Sequence, residues 1–205
     1  VHLACGATVV IADAGSAPSF EFAGEAHAGC LSFEMSAGPQ LVFVNGGAPG
    51  PADGDWRALA RATASHNTLC LAETSSAKLV RHPRLEILIG GAPIVGPRLV
   101  RSKVEEANGD LIWTAFHNGY LGRFGLIHHR KMIVSASGSR FRGVDRLSGE
   151  AASLRLKTDL PFAIHFHLHP EITCRQGPEP GIADVVTADG QIWRFAAQGA
   201  TLAIE

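Results

Sequence analysis

The feature that most constrains the fold is the pair Asn108 and Gly109, which lies between two runs rich in apolar and β-branched residues. Asn-Gly favours the type I′ turn of a β-hairpin, because both residues tolerate a positive φ. We therefore predict that residues 99–107 and 111–116 form two antiparallel strands joined at this turn.

The rest of the chain repeats this pattern of short strands and turn signals. Ser137-Gly138 and Asp189-Gly190 mark two further hairpins. Further strands are predicted at 8–12, 31–35, 41–44, 68–71, 131–136, 140–145, 162–168, 183–187 and 191–195. Evenly spaced short strands are typical of a sandwich or barrel, and the strand–helix alternation of a parallel α/β sheet is absent. With one short helix candidate at 55–64, we predict an all-β fold: a single antiparallel β-sandwich domain over residues 1–205.

The charge balance excludes two classes of partner. Lys and Arg number 18 and Asp and Glu number 19, so the formal net charge is −1. This balance gives no basic excess for a nucleic acid or an anionic membrane. No apolar run approaches the roughly 18 residues of a membrane span. The four cysteines form no C-x-x-C pair, so small buried thiols are the expected role.

Histidines mark the segments that could carry chemistry. His27 and His66 each stand just before a predicted strand. His165, His167 and His169 share one face of a predicted strand, about 7 Å apart, which is too far for all three to bind one ion easily, although two neighbours could. A structural role is the commoner one for each of these histidines. A cupin-like metal oxygenase built on the last three is a distant alternative, because cupin ligands come from separate strands.

Two of these segments resemble a known family. Residues 61–69 resemble the R-x-T-x-A-H-N-T-L segment of heparinase II/III-like proteins, and residues 24–34 resemble their G-H-x-H-A-D-x-L-S-F-E segment. Similar segments lie at 40–47, 120–130 and 162–170, the last two resembling the bacterial branch. The resemblance implies a β-sandwich that follows a helical toroid, so we expect this chain to be the C-terminal part of a longer protein.

The resemblance also implies an activity. Members of this family are polysaccharide lyases that cleave a glycosidic bond next to a uronic acid by β-elimination. Their substrates are acidic polysaccharides such as glycosaminoglycans. The reaction needs a group that neutralises the uronate carboxylate, a base for the adjacent proton and an acid for the leaving oxygen. In the family, a Tyr and a His or Asn of the toroid supply much of this chemistry, together with a His of the sandwich.

The resemblance further implies a zinc ion, with His27, Asn45 and His66 at the metal positions. Asn45 stands where the family has Asp, and a neutral amide is a weaker zinc ligand than a carboxylate. Gly29 replaces the Asp of the H-A-D segment. We therefore expect a weakened zinc site.

The remaining candidate residues concern catalysis and substrate binding. Glu25 stands where the family has the catalytic His of the sandwich, and a Glu acts as a base when burial raises its pKa. Tyr120, the only Tyr in the chain, is a candidate proton donor, although a packing role is commoner. Arg61 and Arg123 are candidates for binding a sugar carboxylate or sulfate.

The changes at Glu25 and Asn45 support an alternative function. The chain would then be a non-catalytic carbohydrate-binding or structural module derived from such a lyase. In either case we expect the isolated chain to be inactive, and a homodimer to cover the apolar patch that would meet the toroid. The sequence leaves the compartment open, with the periplasm as the location that the resemblance suggests.

Overall fold

The computed structural model describes residues 1–50, 54–149 and 160–205. In these ranges the strands are β1 (His2–Cys5), β2 (Thr8–Ala12), β3 (Phe33–Ala37), β4 (Gln40–Phe43), β5 (Leu69–Leu71), β6 (Lys78–Leu79), β7 (Ile94–Val95), β8 (Val100–Ala107), β9 (Asp110–His117), β10 (Leu126–Val134), β11 (Phe141–Gly149), β12 (Phe162–Ile164), β13 (Thr173–Gln176), β14 (Ile182–Val186) and β15 (Ile192–Ala196). The helices are α1 (Gly54–Ala60), α2 (Pro83–Ile89) and α3 (Leu121–Phe124). The predicted all-β class with little helix is confirmed.

Two four-stranded antiparallel sheets form the body of the domain. One has the order β1-β2-β3-β4 and the other β11-β10-β9-β8. The predicted hairpin joins β8 to β9, with Ala107 opposite Asp110 and positive φ at both Asn108 and Gly109. β13, β14 and β15 form a smaller sheet, and β5 pairs with β12.

The two large sheets bury their facing sides against each other. Buried and less buried residues alternate along β3, β9 and β10, which leaves one buried side on each strand. The shared core combines side chains of both sheets: Leu3, Val10, Phe33, Met35, Val42, Trp113, Met132 and Val134. The third sheet adds to this core, and the rings of Phe166 and Phe195 lie 4.9 Å apart.

Two local predictions differ from the structure. The predicted strand 162–168 is a strand only over Phe162–Ile164, because the segment then leaves β5 and joins the edge of β4. Leu168 bridges Phe43 there, and the N–H of His169 donates to the carbonyl of Val42. The predicted helix 55–64 ends at Ala60, and a separate 3-10 turn follows. Among the described residues, no helix has the length and apolarity that crossing a membrane requires.

Candidate functional site

A cleft of about 460 Å³ opens at one end of the first sheet, where β2 and β4 end and β3 begins, and two histidines line it. His27 lies in the loop before β3, and His66 ends the 3-10 turn Thr63–Ser65 that leads towards β5. Nδ1 of His27 lies 3.1 Å from Nε2 of His66. His66 is 5% exposed, whereas His27 is only partly buried. The two segments found by sequence therefore meet in one site, which we call the cleft pair.

The hydrogen bonds of the cleft pair fix the tautomer of each ring. Nδ1 of His66 lies 2.8 Å from the carbonyl oxygen of Ala62, which can only accept, so this nitrogen carries the proton. Nε2 of neutral His66 is then an acceptor, and Nδ1 of His27 donates to it. Nε2 of His27 is left unprotonated, with no hydrogen-bond partner among the described residues.

Burial keeps both rings of the cleft pair neutral. Burial, the charge of His66 and the charge of Arg61 together lower the pKa of His27 to about 4. Burial also lowers the pKa of His66, despite its hydrogen bond to Ala62. At pH 7 the free lone pair of His27 is therefore available as a proton acceptor.

Arg61 holds the loop that carries His27. It is 3% exposed; its Nε donates to the carbonyl of Ala26, and its Nη2 donates to that of Ala23. Thr63 adds a hydrogen bond to the carbonyl of Ala28. Arg61 does not line the cleft, so the structure gives it a role in loop geometry.

Asn45 lines the same cleft, but its amide is already bonded. Its Nδ2 donates to Glu34 Oε1 at 3.2 Å, and its Oδ1 accepts the N–H of Asn67 at 2.9 Å. The side chain of Asn67 is fully buried and donates to the carbonyls of Phe33 and Val44. Asn45 and Asn67 therefore connect the cleft to β3 and β4.

The donor set does not fit a resident zinc ion. A catalytic zinc site takes three protein ligands, and a structural site takes four. Here two imidazole nitrogens face each other directly, and the amide of Asn45 is bonded to Glu34 and Asn67. Within the described residues, no three His, Cys, Asp or Glu side chains form a group that could hold a metal ion.

Gly29 keeps the cleft pair in place. A Cβ at this position would lie 2.7 Å from Cδ2 of His66, closer than carbon atoms approach. Any side chain here would displace the His66 ring. The packing around His66 therefore requires glycine at position 29, where the family's H-A-D segment has Asp.

The other predicted residues do not line the cleft. Glu25 has a side chain that is 74% exposed and paired with Arg57. Tyr120 is 1% exposed, its hydroxyl donates to the carbonyl of Leu69 at 2.7 Å, and burial raises its pKa. Arg123 lies over the ring of Phe124, on helix α3. None of the three lines the cleft.

Sequence reasoning missed two acidic residues of the cleft and a second histidine pair. Asp13 and Glu34 line the cleft. The alternation of β3 places Glu34 on the face of the strand that points away from the buried Phe33 and Met35. The second pair is formed by His117 and His128, which lie opposite each other on β9 and β10. We call it the core pair, because both residues are fully buried.

The core pair is hydrogen-bonded at both ends. The N–H of Gly119 donates to Nδ1 of His117, so Nε2 of His117 carries the proton and donates to Nδ1 of His128 at 3.2 Å. Nε2 of His128 then donates to Asp145 at 2.6 Å. Arg130 binds both oxygens of Asp145, at 2.7 and 3.0 Å.

The whole chain is similar to one protein family. The family model "Heparinase II/III-like, C-terminal" matches residues 1–205. FtsZ-localized protein C of Caulobacter vibrioides is 29% identical over 171 residues, which are 81% of this chain and 29% of that protein.

A similar fold occurs in solved structures. The heparan sulfate lyase HepC of Pedobacter heparinus and a mutant of it are 19% and 20% identical to this chain. Both superpose with a TM-score of 0.64 over 90% of this chain and 24% of theirs. The chain thus spans less than a third of the length of these relatives.

Proposed function

Because the chain belongs to the heparinase II/III-like C-terminal domain family, we propose that it is the β-sandwich part of a polysaccharide lyase. The substrate class is a glycan that contains uronic acid, and the reaction is β-elimination. Within this domain we assign the role of proton acceptor to His27. The observation that supports this choice is its unprotonated Nε2 on an open cleft, oriented through His66 and the carbonyl of Ala62.

The geometry suits the first step of β-elimination. The base removes the proton next to the uronate carboxylate, a carbon–carbon double bond forms as the glycosidic C–O bond breaks, and the leaving oxygen gains a proton. Nε2 of His27 would take the first proton, while His66 keeps the ring oriented. A bound carboxylate beside His27 would raise its pKa from about 4 towards the range that suits a general base.

The other two tasks fall outside this domain in our proposal. Tyr120 is buried in packing, and Glu25 is exposed and paired with Arg57, so neither is assigned to the reaction. The proton donor and the group that neutralises the carboxylate would come from the rest of a longer protein. The relatives are long enough to contain such a part, because this chain spans 24 to 29% of their length.

Two observations favour a second candidate, a glycan-binding module without turnover. Among the described residues that line the cleft, there is no Lys or Arg to neutralise a uronate, whereas Asp13 and Glu34 are present. The name of the Caulobacter relative also describes localisation with FtsZ rather than an enzymatic activity. This candidate predicts glycan binding with no cleavage, even in the longer protein.

The decisive experiment incubates the longer protein with heparan sulfate and measures the ultraviolet absorbance of the unsaturated uronate product. We expect His27→Ala to reduce the rate at least about 100-fold, the usual contribution of a general base. Glu25→Gln and the exposed control His82→Ala should stay within about twofold of wild type. Full activity in His27→Ala would contradict our assignment, and binding without product in wild type would favour the second candidate.

Dimerisation stays a prediction. Phe22, Trp56 and Ile87 are each more than 60% exposed. They lie on neighbouring segments, because Arg57 bonds to the carbonyls of Gly24 and Gly90. Sedimentation of the chain in solution would test whether this apolar surface associates.

A further inference from the structure

The outward face of the second large sheet carries an unusual concentration of positive charge. Strand pairing places four residues in one row across the sheet: Arg101, Phe116, His129 and Arg146. The next row on the same face is Lys103, Thr114, Lys131 and Val144. A third row adds Arg142, opposite Ile133. We call the five Lys and Arg residues of these rows the basic face.

The direction of this face follows from the alternation of the strands. Trp113 and Ala115 of β9 and Met132 of β10 are buried in the core, so the residues between them point away from it. All five residues of the basic face are exposed. The three rows hold one carboxylate, Glu105, which pairs with Lys103 at 2.6 Å.

The charge is local rather than a property of the whole chain. The chain as a whole has a formal net charge of −1. Five cations against one carboxylate on this face are balanced by acidic residues elsewhere. A balanced total therefore hides a surface that attracts anions, which composition alone could not reveal.

The shape of this face suits an extended ligand. A shallow groove of about 400 Å³ runs across it, and no described residue lines both this groove and the cleft. The rings of Phe116 and His129 lie 5.5 Å apart within the groove. Arg101 and Arg146 stand at its two ends, about 14 Å apart at strand spacings of roughly 4.8 Å.

We propose that the basic face binds an acidic polysaccharide at a site separate from the cleft. A sugar ring would lie on Phe116 and His129, and its carboxylates or sulfates would meet the guanidinium groups on either side. Single-stranded nucleic acids bind through successive exposed aromatic platforms, and this face offers one partly buried Phe. The choice of a polysaccharide also rests on the proposed function.

The test measures binding of a size-defined heparin oligosaccharide by calorimetry. In the variant, Arg101, Lys131 and Arg146 are all replaced by Ser. The matched control replaces Lys78, Arg84 and Arg175, which are exposed outside the basic face, and has the same net charge. We expect the variant to lose at least about tenfold in affinity, with a weaker salt dependence, and the control to change less than about twofold.

Three results would overturn the proposal. They are the absence of heparin binding in wild type, an equal loss in the control, and equally tight binding of single-stranded DNA of matched charge. Thermal melting verifies that both variants fold, and the single substitution Arg146→Ser provides a milder version with a smaller loss. Product formation by the longer protein tests the cleft, whereas heparin affinity tests this face, so the two proposals can fail separately.

Discussion

The cleft pair and the core pair share the same internal geometry in different surroundings. The bonded nitrogens are 3.1 Å apart in the cleft pair and 3.2 Å apart in the core pair. The ring planes meet at 90° and 85° respectively. The outer nitrogens of the core pair are hydrogen-bonded to Gly119 and Asp145. In the cleft pair, one outer nitrogen is hydrogen-bonded to Ala62, and the other, Nε2 of His27, is an acceptor with no hydrogen-bond partner among the described residues.

This difference shows what makes a histidine pair available for chemistry. Burial lowers the pKa of His117 to about 3 and that of His27 to about 4, so pKa alone does not separate the two pairs. The hydrogen-bond partners at their ends do separate them. A pair bonded at both ends stabilises the fold, and a pair with one free acceptor on a cleft can accept a proton from a ligand.

The largest predicted effect is a loss of stability when the end of the core pair is removed. Asp145→Ala leaves Arg130 buried without its carboxylate partner and His128 without its acceptor. Breaking a buried ion pair in this way costs about 3 to 5 kcal/mol of unfolding free energy. Urea denaturation monitored by circular dichroism measures this loss.

A matched control is Glu105→Ala. Glu105 pairs with Lys103, and both side chains are more than half exposed. A solvated pair contributes about 1 kcal/mol or less. Equal losses in the two variants would show that the core pair and its ion pair are no more important for stability than a surface contact.

A smaller effect is predicted for Gly29→Ala, which tests the packing of the cleft pair. The added methyl group collides with the ring of His66. Overpacking of this kind costs about 1 to 3 kcal/mol, and displacement of His66 would also release His27. The control is Gly122→Ala in helix α3, where a Cβ meets no atom within 4 Å. If both variants were as stable as wild type, the contact with His66 would not constrain the cleft.

Local patterns in the sequence were sufficient for much of the fold. The turn at Asn108 and Gly109 and the apolar runs on either side of it predicted β8 and β9, because both signals depend on neighbouring residues. The segment 162–168 shows where this reasoning ends. Its alternation indicated one continuous strand, and only the pairing partners on β5 and β4 determine where the strand breaks.

The candidate site was predictable only in part, for the same reason. His27, Asn45 and His66 were singled out by resemblance, and they do share one cleft. The hydrogen bonds of Asn45 and the free nitrogen of His27 depend on contacts between residues more than 10 positions apart. The sequence did not indicate the core pair, because His117 and His128 become neighbours only through the register of β9 and β10.

The pH dependence of stability compares the two pairs in one measurement. The pKa of His117 is about 3 in the folded chain and near 6.5 when unfolded, so the unfolded chain binds more protons between these values. Stability is therefore highest above pH 6.5 and falls as pH decreases towards 3, by up to about 1.4 kcal/mol per pH unit for this residue.

Replacing one histidine removes the part of this pH dependence of unfolding free energy that the residue contributes. His117→Asn cannot titrate, so we expect a shallower fall in unfolding free energy between pH 6.5 and 4. His27→Asn should flatten the slope less, because His27 is only partly buried. Asp145 adds the same slope to wild type and both variants, mainly below about pH 5, because Arg130 lowers its folded pKa despite burial while the unfolded carboxyl titrates near its ordinary value. Identical slopes in wild type and His117→Asn would contradict the prediction.

The smallest predicted effect is the response to zinc, which tests whether the cleft pair is a metal site. Zinc at 100 times the dissociation constant of a native site adds about 2.7 kcal/mol of stability, a shift of several degrees in Tm. With two imidazoles and a bonded amide, we expect a shift below about 1 °C in wild type and in His66→Ala alike. A larger shift that disappears in His66→Ala would show that the cleft pair binds the ion. The free acceptor of His27 would then be a metal ligand, and its assignment as the base would fail.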